Sequence, residues 1–150
     1  MNTFGLIGKS LSHSFSEKYF NKKFYNEDIK NCEYKNFELN DISEIKELIS
    51  QVNLSGLNVT IPYKKSVIPF LDELTPEAKA IGAVNTIEFK GNKLIGHNTD
   101  TIGFLQSIYP ILNGRKKALI LGNGGASKAI QNALKKLNIE YKIVSRNSSF

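Results

Sequence analysis

Three short stretches of this chain gather the hydroxyls, amides and charges that can grip a small polar acid. They are Ser12-His13-Ser14-Phe15-Ser16, Asn58-Val59-Thr60-Ile61-Pro62-Tyr63-Lys64, and Asn85-Thr86 with Asn98-Thr99-Asp100. Together their hydroxyls and amides can bond the carboxylate and hydroxyls of such a ligand. Lys64 and Asp100 offer an amine and a carboxylate, a pair able to pass a proton to or from a hydroxyl or carbonyl. A fourth stretch, Gly122-Asn123-Gly124-Gly125-Ala126-Ser127, has the glycine content of a turn whose N–H groups cradle a pyrophosphate at a helix N-terminus.

Each stretch also has a plainer reading. Ser14 and Glu17 have capping-box spacing, so Ser14 either starts a helix, contacts a ligand, or does both. Asp100 can be a simple first-turn helix charge, and Asn85 can merely bond the sheet. Lys64 is predicted at the start of a short helix, facing the positive end of the dipole, where a lysine kept only for solubility gains nothing. The glycine cluster can be a plain connecting turn, but a strand before it and an amphipathic helix after it favour nucleotide binding.

The end of the following strand discriminates between dinucleotides. An acid there accepts from a ribose 2′-hydroxyl, whereas an arginine receives a 2′-phosphate. Ser145-Arg146-Asn147 stands at that point without an Asp or Glu, which favours NADP over NAD. The alternative is an exposed arginine at a strand end.

Alternating strand-like and helix-like segments must position these groups, the signature of an α/β sheet with crossover helices. Residues 3–8 form a short apolar run ending in glycine. Phe15, Tyr19, Phe20 and Phe24 then recur at helical spacing, and 33–39 reads as a second strand. Ile42, Ile45, Ile49 and Val52 make the next stripe, entered through Asn40-Asp41 as caps. Residues 57–61 are a buried-type strand stopped by Pro62, a short helix covers 64–71, and Thr75-Pro76-Glu77 opens another. Segments 83–89 and 93–96 flank Gly91-Asn92 as a hairpin, which predicts one antiparallel edge.

From Asp100 a helix carries Ile102, Leu105, Ile108 and Leu112 on one face, is weakened by Pro110, and ends by Asn113-Gly114. The pattern then restarts. Residues 118–121 read as a parallel strand buried on both faces, followed by a helix packing Ala129, Ile130, Ala133, Leu134 and Leu137, and a strand at 141–144. The predicted fold is α/β: a mostly parallel open sheet with flanking helices at 1–100, a substrate domain. A linker helix and the first βαβ of an incomplete Rossmann-type dinucleotide-binding domain follow at 101–150.

Composition narrows the partners. The chain has 150 residues, 41% hydrophobic and 10% aromatic, enough for an ordinary core. Its net charge of +6 suits anionic ligands, but the basic residues lie scattered in pairs such as Lys64-Lys65 and Lys116-Lys117, which argues against a nucleic-acid footprint. One cysteine, Cys32, excludes an internal disulfide, and with only His13 and His97 beside it no zinc spacing exists, so no metal is expected. No signal-peptide layout is present, and no apolar stretch approaches the roughly 18 residues that span a bilayer. A reduced, cytoplasmic setting without membrane contact is the expectation.

The combination resembles the shikimate dehydrogenase family, which reversibly reduces 3-dehydroshikimate to shikimate with NADPH in aromatic amino-acid biosynthesis. The resemblance rests on five stretches in order: Ser-His-Ser-Phe-Ser at 12–16, NVTIPYK at 58–64, GAVNT at 82–86, NTD at 98–100, and the GNGGAS turn at 122–127. It implies that Ser14 and Ser16 bind the substrate carboxylate, that Thr60, Asn85 and Asp100 hold its hydroxyls, and that Lys64 transfers the proton with help from Asp100. It further implies that Gly122 to Ser127 carry the pyrophosphate, with Ser145, Arg146 and Asn147 at the family's Asn-Arg-Thr/Ser cofactor motif. The first and last of those positions depart from that motif, and Lys9-Ser10 stands where members often have Asn-Pro.

Family members continue through further strands and helices that finish the cofactor domain and supply a glutamine to the substrate. The 150-residue chain alone is therefore expected to turn over poorly. Its second unit is expected to expose apolar surface or to lean on another chain, with self-association one outcome. A quinate-type dehydrogenase and a non-catalytic small-molecule binding module are the alternative readings.

Overall fold

Alternation of side chains along the first strand sets the layers of the molecule, whose computed structural model describes residues 1–145. In β1 (Asn2–Gly8), Phe4 and Leu6 turn to one face and Ile7 to the other. The first face is covered by α1 (Ser16–Asn26), whose Phe20 and Phe24 pack with Phe4, Leu6 and Tyr34 of β2 (Cys32–Glu38). The second face carries the main core. There a 3-10 turn (Ile42–Glu44) runs into α2 (Ile45–Gln51), and Ile45 packs with Ile7 and with Leu57 and Val59 of β3 (Leu54–Val59).

The chain then makes hydrogen-bonded turns and a 3-10 turn (Ile68–Phe70), followed by the two-residue β4 (Glu73–Leu74) and α3 (Pro76–Ile81). Thr75 caps α3 by accepting the Ala78 N–H, as its Thr-Pro-Glu opening predicts. Strands β5 (Thr86–Lys90) and β6 (Lys93–His97) form the expected hairpin.

Sheet order is β2-β1-β3-β5-β6-β4. The pairings β1–β2, β1–β3 and β4–β6 are parallel, while β3–β5 and β5–β6 are antiparallel. Only β5 therefore runs against the other five strands. The expected α/β class with a mostly parallel sheet and flanking helices is what the structure has. The hairpin, however, is not the edge predicted for it, because β4 pairs outside β6 through Glu73↔Ile95 and Leu74↔Gly96.

Helix α4 (Asp100–Ile108) and a 3-10 turn (Tyr109–Ile111) lead to β7 (Lys117–Leu121), α5 (Gly125–Lys136) and β8 (Glu140–Val144). Strands β7 and β8 pair in parallel as a separate two-stranded sheet, the predicted βαβ restart. Ala129, Ala133 and Leu134 of α5 are buried, as their spacing predicts.

Four local expectations are corrected. No α-helix covers 64–71: the Val67 N–H reaches Tyr63 O, but Ile68 bonds Lys65 and Phe70 bonds Val67, a tightening imposed by Pro69, which has no N–H to give. Lys64 thus does not sit at a helix N-terminus. The Ser14–Glu17 capping box is absent, since Ser14 Oγ accepts from the Ser16 N–H at 3.2 Å and Phe15 holds the cap position; the box forms instead between Asp41 and Glu44. The strand at 118–121 is not buried on both faces, because α5 covers one face only, leaving Leu119 61% and Leu121 79% exposed. This is the apolar exposure expected of the second unit. The stripe expected from Asp100 onward holds in part: Leu112 packs in one cluster with Phe104, and Leu105 and Ile108 are half-buried, but Ile102 is exposed and Thr101 is fully buried in its stead.

Candidate functional site

The parallel direction of β1, β3 and β6 delivers three chain segments to one end of the sheet, and the reversed β5 begins there. After β1 the loop is anchored by the Leu11 N–H on Glu38 Oε1 at 2.5 Å and by the buried Leu11 side chain, and the Ser14 N–H bonds Leu11 O at 2.8 Å. These bonds set Ser14 and Ser16 at the rim. After β3, the Thr60 N–H bonds Ile7 O at 3.0 Å, Tyr63 is buried with its hydroxyl on Leu39 O at 2.6 Å, and Lys64 O accepts from Val84 at 2.7 Å. Lys64 is thus held by its own backbone between two elements. Asn85, just before β5, donates its N–H to His97 O and accepts from the Val59 N–H, which ties it to both neighbouring strands.

Ser14, Ser16, Thr60, Lys64 and Asn85 all line one open cleft of about 380 Å³, together with Ser10, His13 and Asn58 among others. Asp100 is not in that wall. It stands behind, with Oδ2 2.5 Å from Lys64 Nζ and Oδ1 2.9 Å from Asn85 Nδ2. The Asp100 N–H bonds Asn98 Oδ1 at 3.0 Å, and the buried Asn98 in turn donates to Ala83 O at 2.9 Å, so the carboxylate rides on a fixed turn. Side-chain exposures of 18% for Lys64 and 29% for Asp100 leave the pair partly shielded, with Lys64 the member that lines the cleft. All five predicted substrate residues and the predicted acid/base pair are therefore brought together.

A more apolar hollow of about 350 Å³ lies beneath α1 and is walled by Phe4, Phe20 and Phe24, with Glu88 its only charged residue among those described. It lacks the convergence of an amine, a carboxylate and hydroxyls. Among the described residues no group of three or more His, Cys, Asp or Glu is placed to hold a metal ion, and no helix is long and apolar enough to cross a membrane.

The glycine turn is built as a cradle. Gly122 has φ +107°, a backbone that only glycine adopts without strain, and its N–H bonds Val144 O at 2.7 Å, drawing the end of β8 beside the turn. Gly124 caps α5 with no side-chain hydrogen bond, and the space where a Cβ would stand on Gly122 or Gly124 is empty. Asn123 and Ala126 are exposed, and Ser127 is buried with its Oγ 3.1 Å from Gln131 Nε2. With no side-chain cap from Gly124, the first-turn N–H groups of α5 are suited to an anion. It also abuts the cleft: a Cβ on Gly125 would meet Lys64 Cβ at 3.6 Å and Ala83 Cβ at 3.8 Å. Thr101 Oγ1 donates to Ala129 O at 3.3 Å, fastening α4 to α5. Ser145 directly follows β8, beside the turn; Arg146 and Asn147 lie outside the described residues.

Asn58, Thr86 and Thr99 stand in the same polar stretches, but nothing in their type or spacing sets them apart as functional. Here Thr99 donates its N–H to Asn85 Oδ1 at 3.0 Å, and Thr86 donates its hydroxyl to the same atom at 3.0 Å. No sequence signal marked Tyr34, whose hydroxyl bonds Asn58.

Known proteins resemble this chain in sequence and in fold. Residues 6–87 match the model of the shikimate dehydrogenase substrate binding domain. A shikimate dehydrogenase (NADP(+)) of Staphylococcus epidermidis is 43% identical over 137 residues, covering 89% of this chain and 51% of the relative. Among solved structures, shikimate dehydrogenase 1 from Peptoclostridium difficile superposes with a TM-score of 0.88 at 43% identity, over 99% of this chain and 58% of the other. The Thermus thermophilus shikimate 5-dehydrogenase, solved with NADP(H) and shikimate, gives a TM-score of 0.83 at 29% identity over 98% and 57% of the two chains. The chain thus spans about half the length of the curated relatives it matches. Since the substrate-domain model covers more than half of these residues, the chain belongs to the shikimate dehydrogenase family.

Proposed function

We propose that this chain carries the substrate site, and the opening of the cofactor site, of a cytoplasmic NADP-dependent dehydrogenase that reversibly reduces 3-dehydroshikimate to shikimate. Residues 1–100 form the substrate domain in this reading, and 101–150 the linker helix and the first βαβ of the cofactor domain. One observation carries it: Lys64 Nζ, Asp100 Oδ2 and Asn85 meet beside a cleft that also holds Ser14, Ser16 and Thr60.

The hydroxyls of Ser14 and Ser16 donate to the substrate carboxylate, while Thr60, Asn85 and Asp100 hold its ring hydroxyls. Both amide protons of Asn85 are engaged, by Thr99 Oγ1 at 2.9 Å and by Asp100. A substrate hydroxyl held by Asn85 therefore takes the place of the Thr99 bond.

In the reducing direction the Lys64 ammonium gives its proton to the carbonyl oxygen, and in the oxidising direction the amine takes the hydroxyl proton back. Asp100 keeps the amine aimed and offsets its charge. The residues present fit a dinucleotide, because the uncapped α5 N-terminus, the open space over Gly122 and Gly124, and Gly125 next to Lys64 leave room for a pyrophosphate close to the proton-transfer group. When bound, NADP(H) supplies or accepts the hydride. Gly122 to Ser127 would hold its pyrophosphate, with Ser145, Arg146 and Asn147 toward its 2′-phosphate.

Titration of the chain with shikimate, followed by amide resonances of Ser14, Thr60 and Asn85, tests the substrate half. Saturable shifts at these three are expected, and their absence at millimolar shikimate would rule the reading out.

A further inference from the structure

Tyr34 sits in β2, two strands from β3 and outside the cleft wall, yet an unbroken line of hydrogen bonds joins it to Asp100. The residue is 3% exposed, and its ring stacks on Phe20 at 4.6 Å. Its hydroxyl donates to Asn58 Oδ1 at 2.8 Å. Asn58 Nδ2 donates to Thr86 Oγ1 at 3.3 Å, Thr86 donates to Asn85 Oδ1 at 3.0 Å, and Asn85 Nδ2 donates to Asp100 Oδ1 at 2.9 Å. Lys64 occupies the other carboxylate oxygen.

The direction of this line follows from the groups that have no choice of role. The Thr99 N–H can only donate, and it bonds Asn85 Oδ1, so Nδ2 of that amide must face the acceptor-only carboxylate of Asp100. The carbonyl of Asn85 can only accept and lies 3.5 Å from Asn58 Nδ2, so Asn58 presents Oδ1 to Tyr34. Thr86, receiving from Asn58, spends its one proton on Asn85. Tyr34 must therefore donate, and burial holds its phenol well above the ordinary range, so the proton stays in place. Bonds aligned head to tail in this way polarise and reinforce one another.

We infer that Tyr34 is a positioning residue: acting through Asn58 and Thr86, it joins the Thr99 N–H in holding the amide of Asn85, and thereby the carboxylate of Asp100, in the orientation that Lys64 uses. The inference rests on reading Lys64 and Asp100 as the proton-transfer pair. Without the phenol, Asn58 Oδ1 loses its donor and the amide is held only by the two long bonds of Nδ2, so its grip on Thr86 loosens.

Tyr34→Phe in this chain removes one oxygen and keeps the ring on Phe20. Expected are shifted side-chain amide resonances for Asn58 and Asn85, and exchange of the Asn85 amide protons with water about tenfold faster, while Ile7 and Ile87 methyl resonances on the opposite face stay in place. Thr86→Val cuts the line at its middle without altering Tyr34. It should give the same Asn85 signature and also move the Tyr34 Cζ resonance, whereas Thr86→Ser keeps the hydroxyl and should restore the parent spectrum. The Thr86 pair alone decides the matter if Tyr34→Phe does not fold.

Unchanged Asn85 shifts and exchange in folded Tyr34→Phe, a Tyr34 resonance indifferent to Thr86→Val, or a Thr86→Ser spectrum like that of Thr86→Val would each overturn the inference. These readouts need no ligand. A chain that passes them yet ignores shikimate defeats the proposed function and leaves the network standing.

Discussion

The ammonium nitrogen of Lys64 stands 2.5 Å from Oδ2 of Asp100, although 36 residues separate them in the chain. The two belong to segments leaving β3 and β6, which share a direction only because β5 runs backward between them. Lys64 is anchored by its carbonyl on Val84 and Asp100 by its N–H on Asn98, so the side chains meet with their backbones already held.

Removing either partner leaves the other charge partly shielded. Asp100→Asn is expected to lower stability by about 1–2 kcal/mol, less than the loss for a fully buried pair because both groups keep contact with solvent. The urea midpoint measures it. In an enzyme carrying this site, Lys64→Ala is expected to cut turnover by about 10²–10⁴ while substrate affinity changes far less; steady-state kinetics with shikimate separate the two, and unaltered turnover would end the assignment.

Gly122→Ala meets no atom within 4 Å but must hold φ +107° with a Cβ present. A cost of about 1–2 kcal/mol is expected from the backbone alone. A lowered melting temperature, with weaker binding of NADP+ in a fluorescence titration, checks it.

Gly8→Ala acts by crowding. Its Cβ would stand 2.6 Å from Leu11 Cδ2 and 2.8 Å from Thr60 Cγ2, so the loop bearing Ser14 and the Thr60 side chain must both shift. About 1–3 kcal/mol of stability should be lost, and shikimate affinity should fall with it. Parallel urea and ligand titrations of the variant would reveal any disagreement.

Alkali should loosen the fold through two phenols. Burial raises Tyr34 above its ordinary value of 10.0, and burial followed by the charges of Asp41 and Glu44 raises Tyr63. A group whose folded value is raised contributes stability that is whole below the unfolded value and is lost as pH climbs toward the folded one. Stability should therefore hold level to about pH 9 and decline above pH 10, less steeply in Tyr34→Phe. Chemical denaturation across that range reads the slope.

Leu119 and Leu121 form the uncovered apolar face of β7. Replacing both by Lys is expected to reduce concentration-dependent association in sedimentation velocity and to leave shikimate shifts at Asn85 as they were. Association that persists unchanged would place the contact elsewhere.

Local signals carried much of the fold. Thr75-Pro76-Glu77 marked the start of α3, Gly91-Asn92 the hairpin, and the apolar spacing at Ala129, Ala133 and Leu134 the buried face of α5, because caps, turns and periodicity act over a few residues. The residues proposed for the site were legible by type and by their place at segment ends. The errors fell where distant partners decide. Pro69 turned an expected helix into tighter turns, β4 took the sheet edge from the hairpin, and a run spaced for burial on two faces met cover on one.

The amino-acid sequence by itself determined which groups are available for the proposed chemistry: an amine, a carboxylate, hydroxyls, and a glycine turn ahead of a helix. Tertiary structure alone decided that Asp100 stands behind Lys64, that Gly125 abuts it, and that Tyr34 reaches the same carboxylate through Asn58, Thr86 and Asn85. Side-chain hydrogen bonds depend on positions to within an ångström. Strand order and direction set those positions between residues that carry no mark of one another along the chain.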